Sequence, residues 1–204
     1  TLIFLNFLVV LFFFFFIFFN QESNFLNIFF SLTSSISNIG ISKTDTPSNF
    51  YFIFLLLVII GGSFFSTSSG IRFIKIQLLL KFSLNELLSH ARPKHVFINK
   101  IYFSDKNLNQ SDINKYFLTV IIFILSLFSI TLLLTIFNND FAESFKIGIL
   151  TIMNTVNSSI YGLEGYNFYN IDLFSKFIIM FFMIIGRVEL LTLIIIFKKF
   201  LSKN

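Results

Sequence analysis

The chain has 204 residues, of which 55% are hydrophobic and only 12% charged, and its mean hydropathy is +0.85. Soluble globular domains are rarely so apolar, so the composition excludes that class and points to a membrane protein. The absence of cysteine excludes disulfides, thiolate nucleophiles and thiolate metal sites, and the net charge of +5 matters through where it lies.

The first predicted element is an outer helix over 1–19, in which Asn6 is the only polar residue between Leu2 and Phe19. No basic segment precedes it and no small-residue cleavage site follows it, which argues against a signal peptide. Entry straight into an apolar run at Thr1 is read as a fragment whose natural start lies upstream. A short half-helix is predicted over 23–36, with Ser23 as its cap, ending in a polar turn over 37–41 that contains Ser37, Asn38, Ile39 and Gly40. Gly40 is the residue that lets such a turn adopt a positive φ.

The next helix, 49–82, is broken. NFYFIFLLLVII rises only about 18 Å as a helix, while the hydrocarbon core is about 30 Å thick. The segment GGSFFSTSSG over 61–70 therefore falls at membrane depth. Irregular backbone is tolerated there only when it is buried in protein or lines a wet cavity, and a broken helix of this kind points to a pathway for a solute or ion. A phosphate-loop reading fails because no Gly-Lys-Ser/Thr follows the glycines. A serine nucleophile would lack a base, since the two histidines, His90 and His95, lie in the basic loop that follows. Their spacing is poor for a metal site, and they read as solvated loop residues.

That loop is expected over 83–116. Between Arg72 and Lys115 eight Lys or Arg face only Glu86, Asp105 and Asp112, and the tail adds Lys198, Lys199 and Lys203. By the positive-inside rule the loop and the C-terminus are cytoplasmic. Its charge density is the ordinary one of a cytoplasmic loop, so no nucleic-acid partner is expected.

A second outer helix is predicted over 117–137 and a second half-helix over 140–154, opened by Asp140 and Glu143 as an acidic variant of the capping box. A polar turn over 155–158 follows, with Thr155, Val156, Asn157 and Ser158, and then an inner helix over 171–200. The order helix, half-helix, turn, helix thus occurs twice, roughly 115 residues apart in the chain. The fold class is an all-α polytopic membrane protein built of two such units. The C-terminal end of each half-helix carries a partial negative charge, and the turn beyond it can offer backbone carbonyls in place of a hydration shell; together these favour a cation.

Arg187 lies well inside the last apolar run, where a charge is costly and marks a functional site by default. Glu189 is roughly 200° further round the helix and is not expected to pair with it. The 34 phenylalanines, with no tryptophan, read as nucleotide bias rather than as a special role.

Three segments, FFSLTSSISNIGISKTD (29–45), IGGSFFSTSSGIRFIKIQLLLK (60–81) and FFMIIGRVELLTLIIIF (181–197), make the chain resemble the C-terminal half of the Trk/Ktr/HKT superfamily of potassium transporters, and most of all the bacterial Trk-type membrane subunit. The resemblance implies that 1–82 and 117–204 are units three and four of a four-unit pore. It implies filter quarters at Ser37, Asn38, Ile39 and Gly40 and at Thr155, Val156, Asn157 and Ser158. The usual filter glycine is missing from the second set; Val156 or Asn157 takes its place, with Asn157 preferred because Asn tolerates the left-handed region. A gate is implied at 61–70, with Gly61, Gly62, Ser66, Thr67 and Gly70, and Arg187 facing it across the pore. Further implications are a full-length homodimer in a bacterial inner membrane and a peripheral cytoplasmic subunit that binds nucleotides and regulates the gate. K+ is the implied transported ion, with no cofactor and no enzymatic step. The alternatives are a sodium-permeable member of the superfamily, the potassium-binding subunit of a P-type ATPase complex, and a non-transporting membrane scaffold.

Overall fold

The computed structural model describes residues 2–18, 25–41, 50–61, 71, 73–91, 110–137, 140–155, 159–163, 166–169 and 171–187. Seven α-helices and one 3-10 turn account for most of them, and no strand occurs among them. In chain order the helices are α1 (Leu2–Phe18), α2 (Phe25–Ile36), α3 (Tyr51–Ile60), α4 (Phe73–Ala91), α5 (Gln110–Ile136), α6 (Phe141–Met153) and α7 (Leu173–Arg187). The 3-10 turn, Ser159–Tyr161, lies between α6 and α7.

Each helix follows from an apolar run bounded by polar or glycine punctuation. The stretch Ile113–Ile136 of α5 is the one among the described residues long and apolar enough to cross a bilayer by itself. Its inner stripe, Phe123, Leu127, Ile130, Thr131 and Leu134, is buried at helical spacing. Its outer face is just as apolar, with Ile121, Ile124, Leu125, Phe128 and Leu132 exposed. An apolar face of that length is stable against lipid tails or further protein, not against water. Thr131 and Thr135 satisfy their hydroxyls within this helix, each donating to the carbonyl four residues back, at 2.8 and 2.7 Å.

The first three helices are joined by phenylalanine. Phe15 is fully buried, with ring centroids 5.2 Å from Phe54 and 5.3 Å from Phe50, and Phe12 meets Phe29 edge-on at 6.1 Å. Offset and edge-on pairs of this kind are each worth about 0.5–1.5 kcal/mol beyond burial of their area. Phenylalanine thus does the packing between α1, α2 and α3, whatever bias supplied it.

The most enclosed element is α6, which buries Ser144 and every residue from Ile147 to Met153. It sits between α5, α7 and α3. Gly148 sets the approach to α5: a Cβ there would lie 3.0 Å from Ile130 Cγ2 and 3.2 Å from Thr131 Oγ1.

Helix ends differ from the sequence expectation in three places. α4 runs on to Ala91, past 82, because FIKIQLLLKFSLNELLSHA continues as good helix formers until the Arg92–Pro93 pair. α5 begins at Gln110, seven residues before 117, so both helices extend into the basic segment expected as loop over 83–116. At α6, Asp140 does occupy the N-cap, but its side chain makes no capping hydrogen bond; Ser144 N–H donates instead to the Asp140 carbonyl at 2.8 Å. The acidic pair is left to favourable interaction with the helix dipole. The inner helix expected over 171–200 is described from Leu173 to Arg187.

Candidate ion pathway

Two short helices, α2 and α6, end in the same hydrogen-bonded motif. At the end of α2, Asn38 has φ 59°. Its N–H donates to the Ser35 carbonyl at 3.2 Å, and the Ile39 N–H donates to the Ser34 carbonyl at 3.0 Å. At the end of α6, Asn154 has φ 54°, its N–H donates to the Thr151 carbonyl at 3.1 Å, and Thr155 N–H donates to the Leu150 carbonyl at 2.9 Å. Both are Schellman ends, with a left-handed asparagine in the position that glycine usually takes. The motif pairs Asn38 with Asn154, Ser34 with Leu150 and Ile39 with Thr155.

Beyond Asn38 the amides keep turning toward the helix. Gly40 N–H also donates to the Ser34 carbonyl, at 3.3 Å, and Ile41 N–H donates to Ser34 Oγ at 2.9 Å. Gly40 has φ 78°, which a side chain would make costly. The peptide bonds are trans, so each carbonyl points opposite to the amide in its own plane. With the amides of Ile39, Gly40 and Ile41 turned inward, the carbonyls of Asn38, Ile39 and Gly40 all point away from the helix end. Three adjacent backbone oxygens on one side, at the negative end of a helix dipole, can coordinate a cation.

Of the sequence-predicted residues, Ser37, Asn38, Ile39 and Gly40 lie in this turn; Asn38 and Gly40 are buried, Ser37 and Ile39 exposed. Ser37 Oγ donates back to the Thr33 carbonyl at 2.7 Å, which also accepts the Ser37 N–H at 2.9 Å. Thr155 is buried at the end of α6, while Val156, Asn157 and Ser158 lie outside the described residues. Counted on from the paired asparagines, the place of Gly40 falls on Val156 and that of Ile41 on Asn157.

The break between α3 and α4 is fixed at both edges. α3 spans about 15 Å, half a bilayer core. Gly61 caps it with φ 64°, its N–H donating to the Leu57 carbonyl at 3.2 Å, and Ile71 N–H donates to the Ile59 carbonyl at 3.4 Å. Residues 61 and 71 therefore meet the same helix turn. Gly62, Ser66, Thr67 and Gly70 lie outside the described residues.

On α7, Arg187 is exposed in the last described turn. Its neighbour Gly186 touches the backbone of Ile152, so Arg187 stands level with the end of α6. Asn154 ties the same two elements: its Nδ2 donates to the Met183 carbonyl at 3.0 Å, 29 residues away. The α6–α7 cleft continues as a cavity of about 550 Å³, lined by Thr151, Asn154 and Thr155 on one side and Phe168, Ile179 and Met183 on others. Sequence reading missed the structural part played by Asn154, since an asparagine beside the expected turn carries no mark of a left-handed cap. Asn154→Ala is expected to destabilise the chain by about 2 kcal/mol, about half from the left-handed backbone and half from the lost hydrogen bond. Asn154→Gly is expected to recover the backbone half, which thermal unfolding in detergent would read directly.

The two units are clasped outside their turns. Tyr161 is fully buried and faces the buried hydroxyl of Ser35 on α2; neither oxygen reaches good hydrogen-bond geometry with a partner. Lys146 on α6 donates from Nζ to the Gly162 carbonyl at 3.3 Å and stands 5.4 Å from the centroid of the Tyr51 ring on α3. Gly162, at φ 66°, lies against that ring. Further out, partial burial and the Glu143 carboxylate raise the Tyr166 phenol above its ordinary value, so it stays neutral. Among the described residues no group of His, Asp and Glu could hold a metal ion.

No protein-family model matches the chain, and no curated protein matches it. Among solved structures it is similar to the potassium transporter TrkH from Vibrio parahaemolyticus, at a TM-score of 0.80 and 21% identity. The match covers 93% of this chain and 41% of that one, so the chain spans about two fifths of the transporter's length. At that identity the likeness establishes the fold: the chain has the all-α fold of a polytopic membrane transporter.

Proposed function

We propose that this chain supplies two pore units, the third and fourth of four, to a Trk-type pore for potassium uptake. The observation that carries the reading is the row of outward carbonyls at Asn38, Ile39 and Gly40, held at the end of a short helix in a fold shared with a potassium transporter. Such oxygens replace the water that a cation sheds on entering. The turn over 155–158 supplies the matching quarter from the second unit. The break over 61–70 forms a gate below the filter, its glycines allowing bending and its hydroxyls serving backbone freed from the helix, and Arg187 meets it from α7 as a fixed positive charge. The full-length protein works as a homodimer in a bacterial inner membrane. Its basic segment between α4 and α5 and its C-terminal tail face the cytoplasm, where a peripheral nucleotide-binding subunit docks. The chain carries out no chemical step.

A sodium-permeable pore is the second reading, favoured by the absence of glycine between Thr155 and Ser158. The test is growth rescue of a potassium-uptake-deficient bacterium at low external potassium, using the full-length gene with its peripheral subunit. Rescue is expected, and Gly40→Val is expected to abolish it with the protein still in the membrane, because a β-branched residue at φ 78° displaces the carbonyl row. Sodium uptake without rescue would establish the second reading. Neither ion moving, despite good expression, would overturn both.

A further inference from the structure

Ser34 anchors the turn that follows α2 through two different atoms. Its carbonyl accepts from Ile39 and Gly40, and its hydroxyl oxygen accepts from Ile41. The residue is 4% exposed, so water does not compete for these bonds. The side-chain bond is the one that fixes the plane holding the Gly40 carbonyl; without it that peptide could rotate. At the end of α6 the paired position is Leu150, equally buried, whose carbonyl accepts from Thr155, the counterpart of Ile39, and from Asn154. Leucine has no oxygen to offer a third amide. The count from the paired asparagines also brings β-branched Val156 to the place where Gly40 has φ 78°. A copy of the first turn there would be strained. Two independent differences, a missing hydroxyl and a missing glycine, thus fall on the same turn.

We propose that Ser34 is a specificity-determining residue: by holding the plane of the Gly40 carbonyl it stiffens the row of carbonyls after α2, and discrimination between potassium and sodium rests on that stiffness. This inference rests on the pore reading above. A stiff row of carbonyls cannot close around a smaller ion, whereas a compliant one can follow it inward. Ser34 acts by positioning, since it bonds amides rather than the ion.

The test uses the full-length protein with its peripheral subunit, comparing uptake of potassium and sodium in cells, and the thermal shift that each ion gives the purified protein in detergent. Ser34→Ala is expected to lower the potassium-to-sodium uptake ratio several-fold and to shrink the potassium-specific thermal shift, with transport retained. Ser34→Thr, which keeps the hydroxyl, is expected to hold the wild-type ratio. Should Ser34→Ala fail to reach the membrane, Ser34→Cys, a weak acceptor of similar volume, is read in its place. A wild-type ratio in the Ala or Cys variant would overturn the role given to Ser34 and leave the pore reading standing. A wild-type protein that moves neither ion, and is stabilised by neither, would overturn the pore reading and this inference with it.

Discussion

Gly186→Ala is expected to unseat α7 from α6 and to cost about 3 kcal/mol or more, the upper end for an overpacked interior. A Cβ at Gly186 would overlap the Ile152 carbonyl oxygen and lie 2.8 Å from its carbon and 3.1 Å from its Cα. All three are backbone atoms of a buried helix, so no rotamer change relieves the overlap. The sign of the effect makes the test clean. In an open helix, glycine to alanine stabilises by about 1 kcal/mol. Here the same change must push two helices apart. It would also stretch the bond from Asn154 Nδ2 to the Met183 carbonyl, one turn earlier on α7. The measurement is thermal unfolding of the full-length protein in detergent, with Ile184→Ala, an exposed position on the same turn, as the control. A melting temperature for Gly186→Ala equal to or above wild type would show that α7 does not sit on Ile152. Because the contact lies between the end of α6 and the turn bearing Arg187, loosened packing is also expected to appear as cation leak before it appears as lost protein.

What the sequence makes legible is local, and what it hides is mostly pairwise. The half-helix ending at Ile36 and the turn through Gly40 can be read because SLTSSISNIG concentrates hydroxyls, an asparagine and a glycine just where a short apolar run stops. The break after Ile60 can be read from helix length alone, since ten residues cannot cross a bilayer. The second turn is harder. TVNSS contains no glycine, and Asn157, preferred in its place, lies outside the described residues; the left-handed residue described at this end is Asn154, the counterpart of Asn38, held by hydrogen bonds to Leu150 and Thr151. Nothing nearby in the sequence distinguishes the two asparagines. The contacts of Gly186 with Ile152 and of Ser35 with Tyr161 join residues far apart in the chain, and no periodicity encodes them. Helix ends in the basic segment escape for another reason: polar residues such as Asn85, Glu86 and Lys115 are good enough helix formers to carry α4 and α5 beyond the apolar runs that announce them.

The clasp between the two units yields the second large effect. Gly162→Ala is expected to destabilise through two separable causes. The residue holds φ 66°, which costs an L side chain about 1–2 kcal/mol. Its new Cβ would also overlap the Tyr51 ring, adding about 1–3 kcal/mol of overpacking. Tyr51 can swing away only by leaving Lys146, whose ammonium stands over its ring while donating to the Gly162 carbonyl. The two causes separate in a double-mutant cycle. In a Tyr51→Ala background the steric part disappears and the backbone part remains, so Gly162→Ala should cost less there by about 1–3 kcal/mol, within the range of coupling between touching residues. Equal costs in both backgrounds would mean that Tyr51 does not pack on Gly162. On the proposed pore reading, a consequence for transport follows from position. Lys146 belongs to α6 and Tyr51 to α3, so the clasp ties the unit that contains Gly40 to the one that contains Thr155. Loosening it lets the two turns drift apart without altering either one. The cycle should therefore show the same coupling in the potassium-to-sodium uptake ratio of the full-length protein as in its stability. Coupling in stability alone would make the clasp a scaffold with no part in selection.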